Sequence, residues 1–362
     1  MLRLLVRRSN DVTYFTNDEA NEIAGPRHGP AGWWLRGEGD TTSPRDVSAV
    51  LQTTDRSSVH GYDLIVAAPR PISILLAVDP RHADGVVDAH RSSVRASLDY
   101  LEQHALVVRE RRDGLDRDEA GRWRSVVSFT HGVNRHGEPH LHDHVLVGAR
   151  PEGSRTVLDS RGLYAHLRAA DAVYRASLRY ELAERTPWAA WRSFEGIEHV
   201  VGLDEGYRAL WSGHHAERGD KLHWERRDAV ASWNDDLQRF DHHGVKDPPQ
   251  LHRNVLDEHV FASALEGRHD VGRRHVVEAW ANAATFGQDA HALSKGVSSL
   301  FPSLEGSRGV RESTIPVREA RMTALVRTHG PRPIAERELE QWRQRSREPS
   351  REPSRDRSDR SR

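Results

Sequence analysis

The stretch His131-Gly-Val-Asn-Arg-His-Gly-Glu-Pro-His-Leu-His-Asp-His144 sets three imidazoles where two neighbouring strands can aim them at one point. Val126-Val-Ser-Phe-Thr-His131 and Leu141-His-Asp-His-Val-Leu-Val147 are short, partly β-branched runs. The polar segment between them contains Gly137 and Pro139, so the whole reads as a hairpin or two adjacent strands. Strand side chains alternate faces, which puts His142 and His144 on one face and Asp143 on the other. His131, in step with Val127 and Phe129, then sits opposite them at roughly 5 Å between Cβ atoms. Three imidazoles with no thiolate, leaving positions open to water or substrate, are the donor set of a catalytic metal site; structural zinc is closed by four ligands, thiolates among them. With 23 histidines in 362 residues, an H-x-H pair arises by chance about once, and solvated strand histidines explain the pair equally well. The third histidine at a fixed offset, with Arg135, Glu138 and Pro139 between, tips the reading towards a site.

The pattern His131-x-x-Asn134-Arg135-x-x-Glu138-Pro139-x-Leu141-His142-x-His144 resembles the three-histidine motif of TrwC/MobF-type conjugative relaxases, which belong to the HUH class of single-strand DNA endonucleases. Gly61-Tyr-Asp63-Leu-Ile-Val-Ala-Ala68-Pro69-Arg70-Pro-Ile-Ser73 is similar to that family's strand bearing an acidic residue before an Ala-Pro-Lys-Ser-like turn. Tyr174 to Leu182 resembles a family helix, and Val200 to Arg218 resembles the stretch after a short hairpin, so the likeness runs in family order over about residues 10 to 235. The resemblance implies a divalent metal ion (Mg, Mn or Zn) at His131, His142 and His144. It also implies a tyrosine nucleophile near the N-terminus that forms a 5′-phosphotyrosine, and single-stranded origin-of-transfer DNA as substrate. Tyr14 is the one tyrosine before Tyr62. Its pKa near 10 makes it a poor nucleophile at neutral pH without a cation or base beside it. Asp63 is the expected partner, either orienting one metal histidine or accepting the Tyr14 proton.

The sequence departs from the family's pattern in places. Phe15 stands where a second tyrosine is common, and the downstream segment offers Trp33 and Trp34 but no tyrosine, which puts a two-tyrosine termination mechanism in doubt. Asn134, Glu138 and His140 replace residues that are usually Ser, Asp and an amide. His136 falls in the connecting turn, and His140 reads as a flanking DNA contact. Arg70, Arg135, Trp188 and Trp191 are further candidate DNA contacts, the tryptophans because single strands gain ~1–3 kcal/mol per stacked base.

A net charge of −1 argues against a strongly basic surface without forbidding a local one. Zero cysteines exclude disulfides and thiolate sites. The absence of a long apolar run argues against a membrane span, and Met1-Leu-Arg-Leu-Leu-Val-Arg-Arg is too short for a secretory signal, so the expected compartment is the cytoplasm. No G-x-x-x-x-G-K-[ST] loop occurs, which makes a helicase, like a type IV coupling protein, a separate partner.

Helical periodicity over Arg81 to Val108 and Leu163 to Arg185 predicts two amphipathic helices. Strands are expected at Gly61 to Ala68, Arg124 to His131 and Leu141 to Gly148, with a hairpin from Arg192 to Leu203 turning at Gly196. The fold class is α+β: an antiparallel, palm-like sheet with helices on one face and the site on the other. Residues 1–235 are expected to form the relaxase core, 236–345 a mostly helical region suited to a lid over single-stranded DNA, and 346–362 a disordered tail. Alternatives are a rolling-circle replication initiator of the same class and a catalytically inactive origin-binding protein. A cupin-type oxygenase is disfavoured because Val145 to Arg150 contains no carboxylate.

Overall fold

A computed structural model describes residues 1–324 apart from 17–31, 37–43, 52–57, 113–114, 155, 194, 212–225, 241–255, 306–308, 310–311, 318 and 322–323. The expected tail at 346–362 lies outside the described residues. The side chains of Trp33 and Trp34 do too.

The chain begins with β1 (Leu2–Arg7), the short helix α1 (Thr13–Thr16), β2 (Gly32–Arg36), α2 (Pro44–Val50), β3 (Gly61–Ala67), α3 (Arg70–Val78) and α4 (Ala83–His104). A hairpin of β4 (Val107–Arg112) and β5 (Leu115–Ala120) follows, then β6 (Val126–Val133), β7 (Pro139–Gly148) and α5 (Ser160–Arg185). A second hairpin, β8 (Ala190–Arg192) and β9 (Glu198–Val200), leads to α6 (Glu205–Leu210) and α7 (Arg226–Arg239). The last described part holds α8 (Glu258–Ala264), β10 (Asp270–Gly272), α9 (Arg273–Ala283), α10 (Ala290–Leu300) and β11 (Thr314–Pro316).

Among the described residues the central sheet runs β1-β3-β7-β6-β2, every pair antiparallel. Period-two alternation divides its residues. Tyr62, Leu64 and Val66 of β3 join Leu141, Val145 and Val147 of β7 in the larger core under α4 and α5. The opposite face carries Asp63, Val127, Phe129, Leu146 and the three histidines. Part of it closes over a second, smaller core in which Val127, Phe129 and Leu146 meet Val12 and Phe15 beside α1 and Val47, Val50 and Leu51 of the α2 region. The α+β architecture is as the sequence implies, with α2 added on the site face.

The predicted strands and the 163–185 helix form with their ends shifted by a few residues, and Gly196 turns the second hairpin at φ +84°. The helix expected to reach Val108 stops at His104, because Val107 begins the β4–β5 ladder, whose charged sequence gives no apolar alternation to read. Within Met1 to Arg8, weighed only as a leader, Leu2–Arg7 is an edge strand.

The described part of 236–345 is largely helical. Helix α9 packs on the outer side of α5. Arg179, buried in α5, donates to the Ala281 and Ala284 carbonyls and to Glu198. At Gly287, φ +89°, a side chain would run into the Tyr180 amide and the Ala176 carbonyl, so only glycine lets the chains approach this closely.

A polar staple crosses the larger core. Asp143, on the face of β7 opposite the histidines, accepts from His90 Nε2 of α4 at 3.0 Å and from Ser128 Oγ of β6 at 2.6 Å. The Tyr174 hydroxyl of α5 donates to His90 Nδ1 at 2.7 Å. All four residues are fully buried. Burial by itself would raise the Asp143 carboxyl, but the His90 imidazole and the bonds from His90 and Ser128 outweigh it and hold the pKa down to about 2. Relative to an unfolded aspartate this contributes roughly 2 kcal/mol that is present above pH 4 and lost as pH falls from about 4 to 2. Asp143→Asn is therefore expected to be clearly less stable than wild type at pH 7, with the gap narrowing as pH falls from about 4 towards 2. Urea midpoints measured across that range check it, and a gap that stays constant contradicts the account.

Candidate metal centre

The register of β6 and β7 builds the centre. Phe129 pairs with His144 and His131 with His142, so the three imidazoles rise from adjacent positions of one sheet face. Their ring centroids are 5.1 to 5.4 Å apart, and one nitrogen from each lies within 4.8 Å of the other two.

Hydrogen bonds fix two of the rings. Asp63, buried on β3 opposite Leu146, reaches diagonally to His144, whose Nδ1 donates to its two oxygens at 3.0 and 3.1 Å. His142 Nδ1 donates to the His140 carbonyl at 2.8 Å. Both rings thereby leave Nε2 as a lone-pair donor, the arrangement in which metal-binding histidines are held. Burial, then the neighbouring His131, His140 and His144 rings, pushes the His142 pKa well below the usual histidine range, so this ring stays neutral and able to coordinate. A set of imidazoles with one carboxylate behind it suits a borderline divalent ion in an open site.

Tyr14 stands over this cluster, its ring centroid 5.7 Å from that of His144 and 6.1 Å from that of His131, and it is 44% exposed. The α1 turn puts it there. Asp11 accepts from the Thr13 amide and hydroxyl at the start of the turn. Phe15 drives inward against Phe129 and His144, with the Arg7 guanidinium over its ring. With Phe15 buried, Tyr14 is left facing outward above the imidazoles.

The structure therefore brings Tyr14, Asp63, His131, His142 and His144 together. His140 lies on the same face of β7 with its ring centroid 4.7 Å from that of His142; burial, then the Arg70 guanidinium, lowers its pKa to about 4. Arg70, from the start of α3, binds Glu138 and the Pro139 carbonyl, each at 3.1 Å, and so braces the β6–β7 turn. Arg135 and His136 lie half-buried in that turn. Trp188 corrects the sequence reading: it is buried, and its indole nitrogen donates to Asp79 at 3.0 Å, leaving no free face for a base. Trp191 is half-buried and already stacked on His199 at 4.4 Å. The sequence reading missed the Phe15 anchor and His90. For His90 a signal existed, since it shares the buried stripe of α4 with Val86, Val87 and Val94.

Comparison with known proteins agrees with this geometry. Three solved structures of the conjugative relaxase TrwC in complex with oriT DNA are similar in fold. The metal-bound form has 19% identity and a TM-score of 0.52, the copper-bound form 19% and 0.53, and the metal-free form 20% and 0.51. Each alignment covers 66% of this chain and 98% of the other. No curated protein matches. The family model for the TrwC relaxase matches residues 15–233, the stretch that holds four of the five sheet strands and all three histidines, and the chain belongs to the TrwC relaxase family.

Proposed function

We propose that this chain is a metal-dependent, site- and strand-specific DNA-nicking and strand-transfer enzyme that works through a 5′-phosphotyrosine on Tyr14, in the transfer or mobilisation of a plasmid or integrative element. The observation that carries the proposal is the exposed Tyr14 ring above three imidazoles, one nitrogen from each of which lies within 4.8 Å of the other two. The solved relatives are complexes with oriT DNA, and single-stranded origin-of-transfer DNA is the substrate proposed for this chain. A separate helicase and a type IV coupling protein are the proposed partners, and the cytoplasm the proposed compartment; no helix among the described residues is long and apolar enough to cross a membrane.

A divalent ion held by His131, His142 and His144 would supply Lewis-acid stabilisation of the charge on the scissile phosphate, worth several kcal/mol. The Tyr14 oxygen attacks phosphorus, the bond to the 3′-oxygen breaks, and the phenol proton reaches that oxygen by way of solvent. Rejoining is the reverse, with the bond energy retained in the tyrosine ester. Both Asp63 oxygens face His144 Nδ1, which favours Asp63 as the group that orients this ligand over Asp63 as acceptor of the Tyr14 proton. Arg70, Glu138 and Asn134 hold the turn between the two ligand-bearing strands, Asn134 donating to Glu138 at 2.6 Å.

His142→Ala is expected to abolish divalent-ion binding in calorimetric titration and to abolish nicking of supercoiled DNA, with the circular dichroism spectrum unchanged; wild-type metal affinity in this variant would sink the assignment. Chelation of the wild-type protein is expected to have the same effect and to be reversed by added metal. Asp63→Asn, which loses the oriented carboxylate, is expected to lower metal affinity or nicking about 10–100-fold while still forming the covalent product. Tyr14→Phe keeps the ring and is expected to bind single-stranded origin DNA as wild type does yet to form no protein–DNA adduct on denaturing gels. An adduct in that variant would move the nucleophile elsewhere.

A further inference from the structure

We infer that one copy of this chain can hold only one DNA end covalently at a time, so that any transfer event needing two strand breaks at once draws in a second copy of the same chain. The inference rests on the function proposed above. It follows from where the phenols lie.

The chain has seven tyrosines, and every one of them falls among the described residues. Tyr14 alone has its ring against the histidine cluster. Tyr62 is on β3 with its side chain in the core under the helices, and Tyr207 is buried against Phe240. The hydroxyls of Tyr100 and Tyr174 are buried and bonded to His166 and His90. Tyr164 and Tyr180 belong to α5, which packs on the face of the sheet away from the histidines. A buried hydroxyl does not meet a phosphodiester, and the sheet stands between the α5 phenols and the site. Phe15, next to Tyr14, has no oxygen to offer.

The chemistry then sets the stoichiometry. In the first step the Tyr14 oxygen–phosphorus bond forms and the phosphorus–3′-oxygen bond breaks. Until a 3′-hydroxyl attacks that phosphorus and expels the phenol, the Tyr14 oxygen is an ester oxygen with no proton to lose and cannot attack again. A chain carrying one DNA end therefore cannot break a second strand, and joining the ends of two different strands requires a 3′-hydroxyl released by another chain's Tyr14.

The test uses the full chain and two single strands of different length, both spanning the nick first mapped on supercoiled DNA from the region around its own gene. Protein immobilised at sparse density is loaded with the first strand, washed, and given the intact second strand. The expected result is that intact mass shows one adduct per chain and no hybrid strand appears; free wild-type chain then yields the hybrid, and free Tyr14→Phe chain does not. Hybrid product from the sparse, washed chains alone, or any doubly adducted chain, overturns the inference. Failure to form an adduct with the first strand would instead overturn the proposed function, and this inference with it.

Discussion

The antiparallel register between β6 and β7 is the constraint on which everything else in the site depends. Pairing His131 with His142 puts two imidazoles directly opposite one another, and the pleat carries His144 onto the same face two residues later. A slip of one residue would turn the β7 histidines into the helix-covered core and bring Asp143 out. The slip is opposed on the site face by the packing of Phe129 and Leu146, and from behind by the Asp143 carboxylate, held by Ser128 and His90. One strand thus alternates between the imidazoles of the candidate centre and a buried acidic anchor, and each requires the other face to be built correctly.

The second constraint is the α1 turn, whose two aromatic residues divide the labour. Phe15 is 1% exposed and packs on Phe129 and His144, so its apolar contact fixes the turn that carries Tyr14. The Phe15 anchor thereby holds the Tyr14 backbone in place, with the Tyr14 ring over the imidazoles.

Much of this was legible in the sequence. Alternation along Leu141 to Val147 and the offset of His131 made the strands and the shared face of the three histidines readable, because local periodicity and a polar turn encode them directly. Asp63 was legible as a carboxylate near the site, but its role was not: the choice between orienting a ligand and accepting a proton depends on a diagonal cross-strand contact that spacing does not reveal. Trp188 was misread because an aromatic side chain looks the same in sequence whether it packs in the core or faces solvent, and its partner Asp79 is 109 residues away. The placement of α8 to α10 was hidden for a similar reason. Their helical pattern is clear, yet the surface they cover is set by buried Arg179 and by the close approach at Gly287, both contacts between segments about 100 residues apart.

All three candidate ligand side chains grow from interior strands of the sheet, and the carboxylate behind His144 sits on a third strand. The ordering cost of assembling the ligands is therefore met by folding, not by the ion. Unlike a small zinc domain that collapses when stripped, a scaffold of this kind keeps its shape as the ion comes and goes. The ion becomes an exchangeable supply, and which metal fills the centre is decided by what the surroundings offer and how well it tolerates three imidazoles, not by the stability of the fold.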